Sequence, residues 1–204
     1  MRAEAPEPSI RGSYISPSKA WVRRTYGEEL WETSLGSLDA EQQAIFRAEL
    51  VSLAWYPLRH WTVLLEAIRG NVRRATGEDG ARFDRRHLHE SIGGAMRTVY
   101  RIAFALLSPT TVVAKVTPYF KRVYSHGEYE VLENEPGSCR IRFRDAPLAM
   151  LPELERSFPL ATEWMLDVAG QRVTERELTS HTGPETFSCD LRISYQPKRL
   201  ATGT

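Results

Sequence analysis

Two histidines, His87 and His89, are the first residues in this sequence whose side chains could hold a metal or a cofactor. Residues two apart on a helix point to different sides, so the pair makes poor joint ligands of one metal ion. A haem needs only one axial histidine, and either residue would serve if it faced the sheet predicted below. The alternative is that both are solvated or capping histidines beside Arg85 and Arg86.

Cys139, Cys189 and His181 are the next candidates, because all three fall near segments predicted to be strands. A zinc site takes four ligands, usually with two of them close in sequence, and that spacing is missing. Cys189 acting as a nucleophile with His181 as its base is a further alternative, but a strand position beside Phe187 and Leu191 favours a buried, inert thiol. We therefore predict no metal site, no catalytic residues and no enzymatic activity.

Gly93 and Gly94 lie inside an otherwise strong helical pattern, where each glycine costs ~1 kcal/mol relative to alanine. Close approach of another helix explains such a pair, and so does a ligand held against bare backbone. The helices also supply many aromatic side chains, which ordinarily fill a core but can line an apolar pocket. We predict a small-molecule site formed by Gly93, Gly94, Tyr100, Phe104, Tyr124 and Trp164.

Three arginines, Arg140, Arg142 and Arg144, alternate with apolar residues and place like charges on one face of a predicted strand. Pairing with glutamates on the neighbouring strand, between residues 128 and 135, would neutralise them. A partner with an acidic surface is the alternative.

The composition is that of an ordinary globular chain, with 204 residues, 42% of them hydrophobic and 26% charged. A formal net charge of +1 provides no field that would attract nucleic acid, so we expect no such partner. The longest apolar run, residues 102–107, is far shorter than the ~20 residues that span a bilayer. Two cysteines are too few for a disulfide framework, which favours a reduced, cytoplasmic setting.

Apolar residues at helical spacing predict about five helices before residue 124. The first has Ser18 as its N-cap, and the second has Asp39 as its cap with Gln42 three residues later, as in a capping box. A third helix begins after Pro57 and ends at Gly70.

The polar residues 71–86 predict a loop. A long helix over about residues 87–107 and another that reaches residue 124 complete the helical part.

Two pairs of alternating segments, residues 129–143 and 173–195, predict strands. They flank a helix that runs from Pro152 to Gly170 and is expected to break near Pro159. One face of the last strand carries Phe187, Cys189, Leu191, Ile193 and Tyr195.

These elements predict an α+β fold, in which an N-terminal helical layer packs on a four-stranded antiparallel sheet and a helix crosses between the two strand pairs. We assign residues 1–17 to a flexible lead-in, residues 18–196 to a single domain, and residues 197–204 to a disordered tail.

Several short motifs resemble a family of uncharacterised proteins of about this length that is largely confined to myxobacteria. They are TYGE at residues 25–28, AWYPL at 54–58, SP at 108–109, YSHG at 124–127 with Val131 beyond it, and C-x-L-x-I-x-Y at 189–195. That family is distantly similar to 4-vinyl reductase domains, haem nitric-oxide-binding domains and a Golgi trafficking subunit, which share a helical layer over an antiparallel sheet. The resemblance implies a sensory or ligand-binding module.

This sequence departs from those relatives in three places. Glu163 precedes Trp164 where they have glycine, and the region around Ser180 lacks their cysteine. The haem-binding branch holds the propionates with tyrosine, serine and arginine at alternate positions, whereas here Tyr124 is followed by His126 and Glu128.

We therefore expect a non-enzymatic, cytoplasmic module that binds an apolar small molecule, has no cofactor, and signals through a protein partner. One alternative is a protein-interaction or homodimerisation scaffold with a closed core. The other is a haem-based gas sensor.

Overall fold

The structure is a computed structural model that describes residues 7–95 and 106–198. The chain divides into two compact units. Unit 1 comprises Met1–Ala95 and Arg122–His126, and unit 2 comprises Met96–Lys121 and Gly127–Thr204. The single domain that we assigned to residues 18–196 stays a prediction.

Unit 1 is mainly helical. Its elements are β1 (Ser9–Arg11), α1 (Gly12–Tyr26), α2 (Glu28–Leu35), α3 (Ala40–Arg47), β2 (Trp55–Pro57), α4 (Leu58–Thr76) and α5 (Gly80–Ala95). Strands β1 and β2 pair antiparallel, with Ile10 opposite Tyr56, and Ile10 also forms a bridge to Tyr124. Residues 9–17, which we placed in a flexible lead-in, are thus a strand and the start of a helix, and the predicted N-cap at Ser18 is wrong.

Helix α3 begins where the sequence predicts. Asp39 is its N-cap, and the Asp39 carboxylate accepts a hydrogen bond of 2.8 Å from the backbone N–H of Gln42. This bond satisfies one of the N–H groups that a helix leaves unpaired at its first turn. The predicted cap is confirmed.

Helix α4 continues past Gly70, so the loop that we predicted over residues 71–86 is wrong. Ile68 and Val72 lie four residues apart on the same face of α4, and both side chains are fully buried. Burying Val72 is worth about 1.5–3 kcal/mol, which exceeds the ~1 kcal/mol that a glycine costs in a helix. The helix ends instead at Gly77, whose φ of 74° is the left-handed conformation that closes helices.

Large side chains fill the interior of unit 1, where α1 packs against α5 and α2 packs against α4. The bulkiest fully buried ones are Trp31, Trp61, Phe46 and Phe83. Among the helices that the structure describes, in either unit, none is long and apolar enough to cross a membrane.

Unit 2 contains the sheet. Its elements are α6 (Pro109–Val123, within this unit as far as Lys121), β3 (Glu128–Glu135), β4 (Ser138–Pro147), a 3-10 turn (Leu148–Met150), α7 (Leu151–Val168), β5 (Gln171–Thr182) and β6 (Thr186–Pro197). The strands are antiparallel in the order β3-β4-β6-β5, and α7 lies between the two strand pairs in the chain. The predicted fold class is confirmed. Helix α7 runs through Pro159 without a break, contrary to our expectation.

The inner face of the sheet is apolar, and α7 packs against β5 and β6. Strand β6 buries alternate residues, as its sequence predicts. The residues buried are Phe187, Cys189, Leu191, Ile193 and Tyr195.

The outer face of the sheet carries the arginines of β4, each held by carboxylates. Arg144 donates to Glu128 at 2.8 Å and Arg140 lies 3.4 Å from Glu133, both on β3 as predicted. Asp190 on β6 accepts two bonds from Arg142, at 2.7 and 2.9 Å, and one from Arg140 at 2.8 Å. The three like charges are therefore neutralised within the sheet.

Asp190 should make the stability of the protein depend on pH. Hydrogen bonds from Arg142 and then Arg140 hold the pKa of its carboxyl well below the usual range. A depressed pKa contributes stability above the unfolded value of about 4, and that contribution declines as the pH falls below it. We expect Asp190→Asn to lower the melting temperature at pH 7 by about 2–4 °C, with the difference from the parent protein shrinking steadily below about pH 4.

Asp167→Asn is the matched control for this measurement, because Asp167 forms an exposed ion pair with Lys198 at 2.7 Å. Exposed pairs contribute little, so this variant should melt close to the parent protein at every pH. Equal melting temperatures for Asp190→Asn and the parent at pH 7 would contradict the role given to Asp190.

Candidate ligand-binding site

A cluster of aromatic rings packs on the inner face of the sheet in unit 2. We call it the ring cluster; its members are Phe120 of α6, Tyr129 of β3, Phe143 of β4, Phe158 of α7 and Phe187 of β6. Tyr129 lies at its centre, stacked on Phe120 with ring centroids 4.2 Å apart and edge-on to Phe158 at 5.2 Å. Tyr129 faces inward because β3 alternates glutamates with apolar residues at its start.

Two tyrosine hydroxyls in this region are buried without a hydrogen-bond partner among the described residues. They belong to Tyr129 and to Tyr119 of α6, whose ring lies 5.7 Å from that of Phe120. Burial raises the pKa of both phenols, so each stays protonated and can donate. A buried polar group left without a partner costs about 1–3 kcal/mol, and such groups call for an explanation such as a ligand or a water molecule.

The two cysteines do not form a paired site. Cys139 stands opposite Ile193 in the sheet and Cys189 stands opposite Phe143, so the two thiols are offset by four residues along β4. That offset is about 13 Å, too far for a disulfide. Burial raises the pKa of each thiol to about 12, which keeps both protonated and inert.

The alternative of Cys189 as a nucleophile activated by His181 is not realised. Ser180 stands opposite Cys189, whereas His181 stands opposite Ser188. Neighbouring residues on a strand point to opposite faces, so His181 lies on the outer face while Cys189 is buried on the inner one.

His87 is buried in the interior of unit 1, which contradicts the expectation of a solvated or capping histidine. Only 3% of it is exposed, and its ring stacks on Phe83 at 5.6 Å between centroids. Its Nε2 contacts the hydroxyl of Ser18 and lies 3.3 Å from that of Ser91. Ser91 also donates its proton to the backbone oxygen of His87 at 2.7 Å, so two serine hydroxyls lie beside the buried Nε2.

Each of the other histidines either lies within hydrogen-bond distance of a neighbouring side chain or is exposed. The Nε2 of His60 accepts from Arg59 at 3.1 Å, so its proton is on Nδ1. Nδ1 of His126 lies 2.7 Å from the hydroxyl of Ser125, and His89 and His181 are exposed. Within the described parts of the chain, no three potential ligands are grouped around a common point.

A histidine-ligated haem therefore does not fit the side chains as they are arranged here. An axial histidine must offer a nitrogen lone pair inside an apolar site. Nε2 of the buried His60 accepts from Arg59, Nε2 of the buried His87 lies against two serine hydroxyls, and the thiols of Cys139 and Cys189 stay protonated. No step of the function proposed below passes through iron.

The six residues predicted to line a ligand site are only partly described. Gly93 and Gly94 lie in α5, and Tyr100 and Phe104 fall outside the described residues. Tyr124 is buried in unit 1. Trp164 of α7 is buried in unit 2, and the six-residue site stays a prediction.

Tyr129 and Tyr119 were not among those six residues, although a signal for one of them exists. Tyr129 occupies an inward-facing strand position, where a phenol must bury its hydroxyl. For Tyr119 the sequence offers only its place in an aromatic-rich helix. Whether an acceptor meets a buried hydroxyl depends on the fold and cannot be read from the pattern.

Comparison with known proteins gives matches in structure alone. No protein-family profile matches the sequence, and no curated protein matches it. A crystal structure of an Fe(II) unliganded H-NOX protein from K. algicida matches with a TM-score of 0.66, covering 94% of this chain and 99% of that chain at 10% identity. An oxygen-binding H-NOX domain related to soluble guanylate cyclases matches with a TM-score of 0.63, covering 96% and 100% at 9% identity.

Our expectation of no cofactor is wrong in the light of these matches. The matched proteins are described as Fe(II) unliganded, as an oxygen complex and, in a third case with a TM-score of 0.63 and 11% identity, in terms of heme distortion in the H-NOX family. At these identities the likeness concerns the fold, and this chain has the fold of the H-NOX domains.

Proposed function

We propose that this chain is a non-enzymatic, ligand-binding sensor module. Its H-NOX-like fold supports the general class. The observation that carries the proposal within the chain is the pair of buried phenol hydroxyls, Tyr129 and Tyr119, that no described acceptor meets. Buried donors without a partner call for an explanation, and a ligand that accepts from them is the explanation proposed here.

The chemistry of the site defines the ligand class. Both phenols are neutral donors because burial raises their pKa, so the ligand supplies an acceptor such as a carbonyl or carboxylate oxygen. The surroundings of Tyr129 are aromatic, so the rest of the ligand is apolar. An apolar small molecule with one or two polar groups matches this description, as ligands of such sites generally do.

The signal would pass to a protein partner in the cytoplasm. A signalling role is typical of sensor modules, which respond to a ligand by shifting between two states of different affinity. The family resemblance read from the sequence, including its restriction to myxobacteria, stays a prediction.

A second candidate function is a protein-interaction scaffold, favoured by one surface of unit 1. The connection from α3 to β2 exposes Val51 by 62% and Leu53 by 80%, and Trp55 at the start of β2 is 39% exposed. Exposed apolar side chains grouped in sequence mark interaction surfaces when they form a patch. A protein that stays monomeric at high concentration, and that co-purifies with no other protein, would weigh against this candidate.

Tyr129→Phe tests the proposed function, because it removes the hydroxyl and keeps the ring. Without ligand, we expect a rise in melting temperature of about 2–4 °C, since an unsatisfied buried group is removed. Ligand affinity should fall about ten-fold through the loss of one hydrogen bond. Haem is the first ligand to test, and its Soret band reports binding during a titration. Native mass spectrometry of protein purified from its own host detects other ligands.

Tyr195→Phe is the matched control, because the Tyr195 hydroxyl donates to the backbone oxygen of Glu135 at 3.0 Å. Removing this satisfied hydroxyl should lower the melting temperature and leave ligand affinity unchanged. The role of Tyr129 fails if its variant behaves like the control. The sensor proposal fails if haem does not bind saturably and no small-molecule adduct accompanies the native protein.

A further inference from the structure

A cleft of about 400 Å³ opens at the end of the sheet in unit 2 that carries the turn between β5 and β6. Its walls are the last residues of β4, the last residues of β5 and the first residues of β6. Phe187 lines this cleft and is also a member of the ring cluster, with its ring centroid 6.1 Å from that of Phe143. The Phe187 ring therefore stands between the cleft and the other rings on the inner face of the sheet.

The cleft lies where the pairing of β4 with β6 is interrupted by a bulge. On β4, two residues lie between the one opposite Cys189 and the one opposite Phe187, whereas β6 has only Ser188 between them. One of those two residues is Asp145, whose φ of 57° is a left-handed conformation. A bulge leaves its extra residue unpaired and disrupts the ladder locally. The regular backbone pairing that closes the rest of the sheet is therefore missing next to Phe187.

Small side chains flank Phe187 on both neighbouring strands. Ala146 of β4 and Thr182 of β5 stand opposite it, and Gly183 also lines the cleft. A core side chain is held in its rotamer by the atoms packed around it, and these small residues place few atoms beside a benzyl group. The rings around Tyr129 lie closer together, with centroids 4.2, 4.5 and 5.2 Å from it. Phe187 is therefore held less tightly by its neighbours than the rings around Tyr129 are.

The mouth of the cleft suits an uncharged molecule, because its arginines are already paired. Arg142 is bound through Nε and Nη2 to Asp190. Arg144 donates to Glu128 at 2.8 Å and lies 3.7 Å from Asp145. An uncharged ligand displaces none of these ion pairs, and this is the apolar class of ligand proposed above.

We propose that this cleft is the entrance to the ligand site in unit 2 and that the Phe187 ring is its gate. When the ring turns away from the bulge, an uncharged, apolar molecule passes from the cleft to the inner face of the sheet. When the ring returns, the site is closed to water. The inference rests on the ligand-binding function proposed above, since it names the route to that site. Thiol labelling tests the route without the native ligand, so the route and the function can fail independently.

The two buried cysteines report on this route. Burial, and then the nearby Cys189 thiol, raise the pKa of Tyr129, which places Cys189 close to the proposed ligand donor and two residues from Phe187. Cys139 stands opposite Ile193, which lies six residues and about 20 Å from Phe187 along β6. Both thiols are buried, and burial raises the pKa of each to about 12. The two thiols therefore differ in position more than in intrinsic reactivity.

Dithiodipyridine, an uncharged aromatic disulfide, is the probe, because a thiol that it reaches exchanges with its disulfide and releases a coloured thiopyridone. Cys139→Ala and Cys189→Ala provide proteins with a single thiol each. Cys189 should react at least about ten-fold faster than Cys139, because a local opening is more populated than the opening of the whole sheet. Phe187→Leu should raise the Cys189 rate several-fold further. Ser188→Trp, which adds bulk to the lining of the cleft, should lower it.

The Cys139 rate is the control in every variant, because it reports opening of the sheet away from the cleft. It should be unchanged by Ser188→Trp and should rise less than the Cys189 rate in Phe187→Leu. The proposal is overturned if Cys189 reacts no faster than Cys139 in the proteins with Phe187 and Ser188 intact. It is also overturned if Phe187→Leu accelerates both thiols equally, or if Ser188→Trp leaves the Cys189 rate unchanged.

Discussion

Replacing Gly127 with alanine is expected to destabilise the protein by about 2–5 kcal/mol, through backbone strain and a steric clash together. Gly127 has a φ of 84°, a conformation that L-residues avoid. A Cβ at this position would also lie 2.6 Å from Cε2 and 2.8 Å from Cε1 of Phe143, closer than any real Cβ contact. The Phe143 ring belongs to the ring cluster, where the rings of Tyr129 and Phe187 lie 4.5 and 6.1 Å from it between centroids. Urea denaturation measures the loss as a lower midpoint.

Gly170 provides the control that separates strain from clash. Its φ is 74°, but a Cβ there would meet no atom within 4 Å. Gly170→Ala should therefore cost only the strain, about 1–2 kcal/mol. A second substitution, Phe143→Leu, should recover part of the loss in Gly127→Ala and none of the loss in Gly170→Ala. Equal losses for the two glycine variants would show that Phe143 does not restrict the turn.

Sequence pattern predicts the sheet of unit 2 well because each strand buries one face. In β6, alternate residues from Phe187 to Tyr195 are buried, and a shift of one residue would expose all of them. The carboxylates that neutralise the β4 arginines follow from the same alternation, with Asp190 as an unforeseen third partner. Period-two patterns fix both faces of a strand at once.

The ends of helices and strands in unit 1 are harder to predict, because the local conformational cost of a residue competes with the free energy gained by tertiary packing. Gly70 is a plausible helix end on its own, yet α4 continues because Val72, two residues later, is buried. Residues 9–17 look loose in sequence, but β1 finds its partner in β2, more than forty residues away. Neither the burial of Val72 nor the pairing of β1 with β2 can be read from the residues next to Gly70 or from residues 9–17 alone.

The candidate site depends still more on distant partners. His87 looked exposed because arginines precede it, but in the fold its Nε2 contacts the hydroxyl of Ser18, sixty-nine residues earlier in the chain. A spacing signal was present, since Phe83, His87 and Ser91 recur every four residues on one helix face. Nothing in the sequence tells whether an acceptor reaches the hydroxyl of Tyr129, because that depends on the packing of β3, α6 and α7.

Phe158→Ala should be among the most destabilising single substitutions in unit 2, with a loss of about 3–5 kcal/mol. Phe158 is fully buried and lies edge-on to two rings of the cluster, with centroids 5.9 Å from Phe120 and 5.2 Å from Tyr129. Truncation removes both ring contacts and leaves a cavity that the stacked pair cannot fill. Alanine favours the helix more than phenylalanine does by a few tenths of a kcal/mol, so the measured loss understates the packing term.

Phe158→Leu is the control, because it keeps most of the volume and should cost less than about 1.5 kcal/mol. Urea denaturation of the three proteins gives the stability differences, and a similar small loss for both variants would contradict the packing role.

Phe158 also fixes the ring of Tyr129 from one side, so the position of the Tyr129 hydroxyl depends on it. Phe158→Ala should therefore weaken binding of the ligand found with the native protein, while Phe158→Leu retains it. If the alanine variant folds and binds that ligand as tightly as the parent, the ligand does not use the hydroxyl that Phe158 positions.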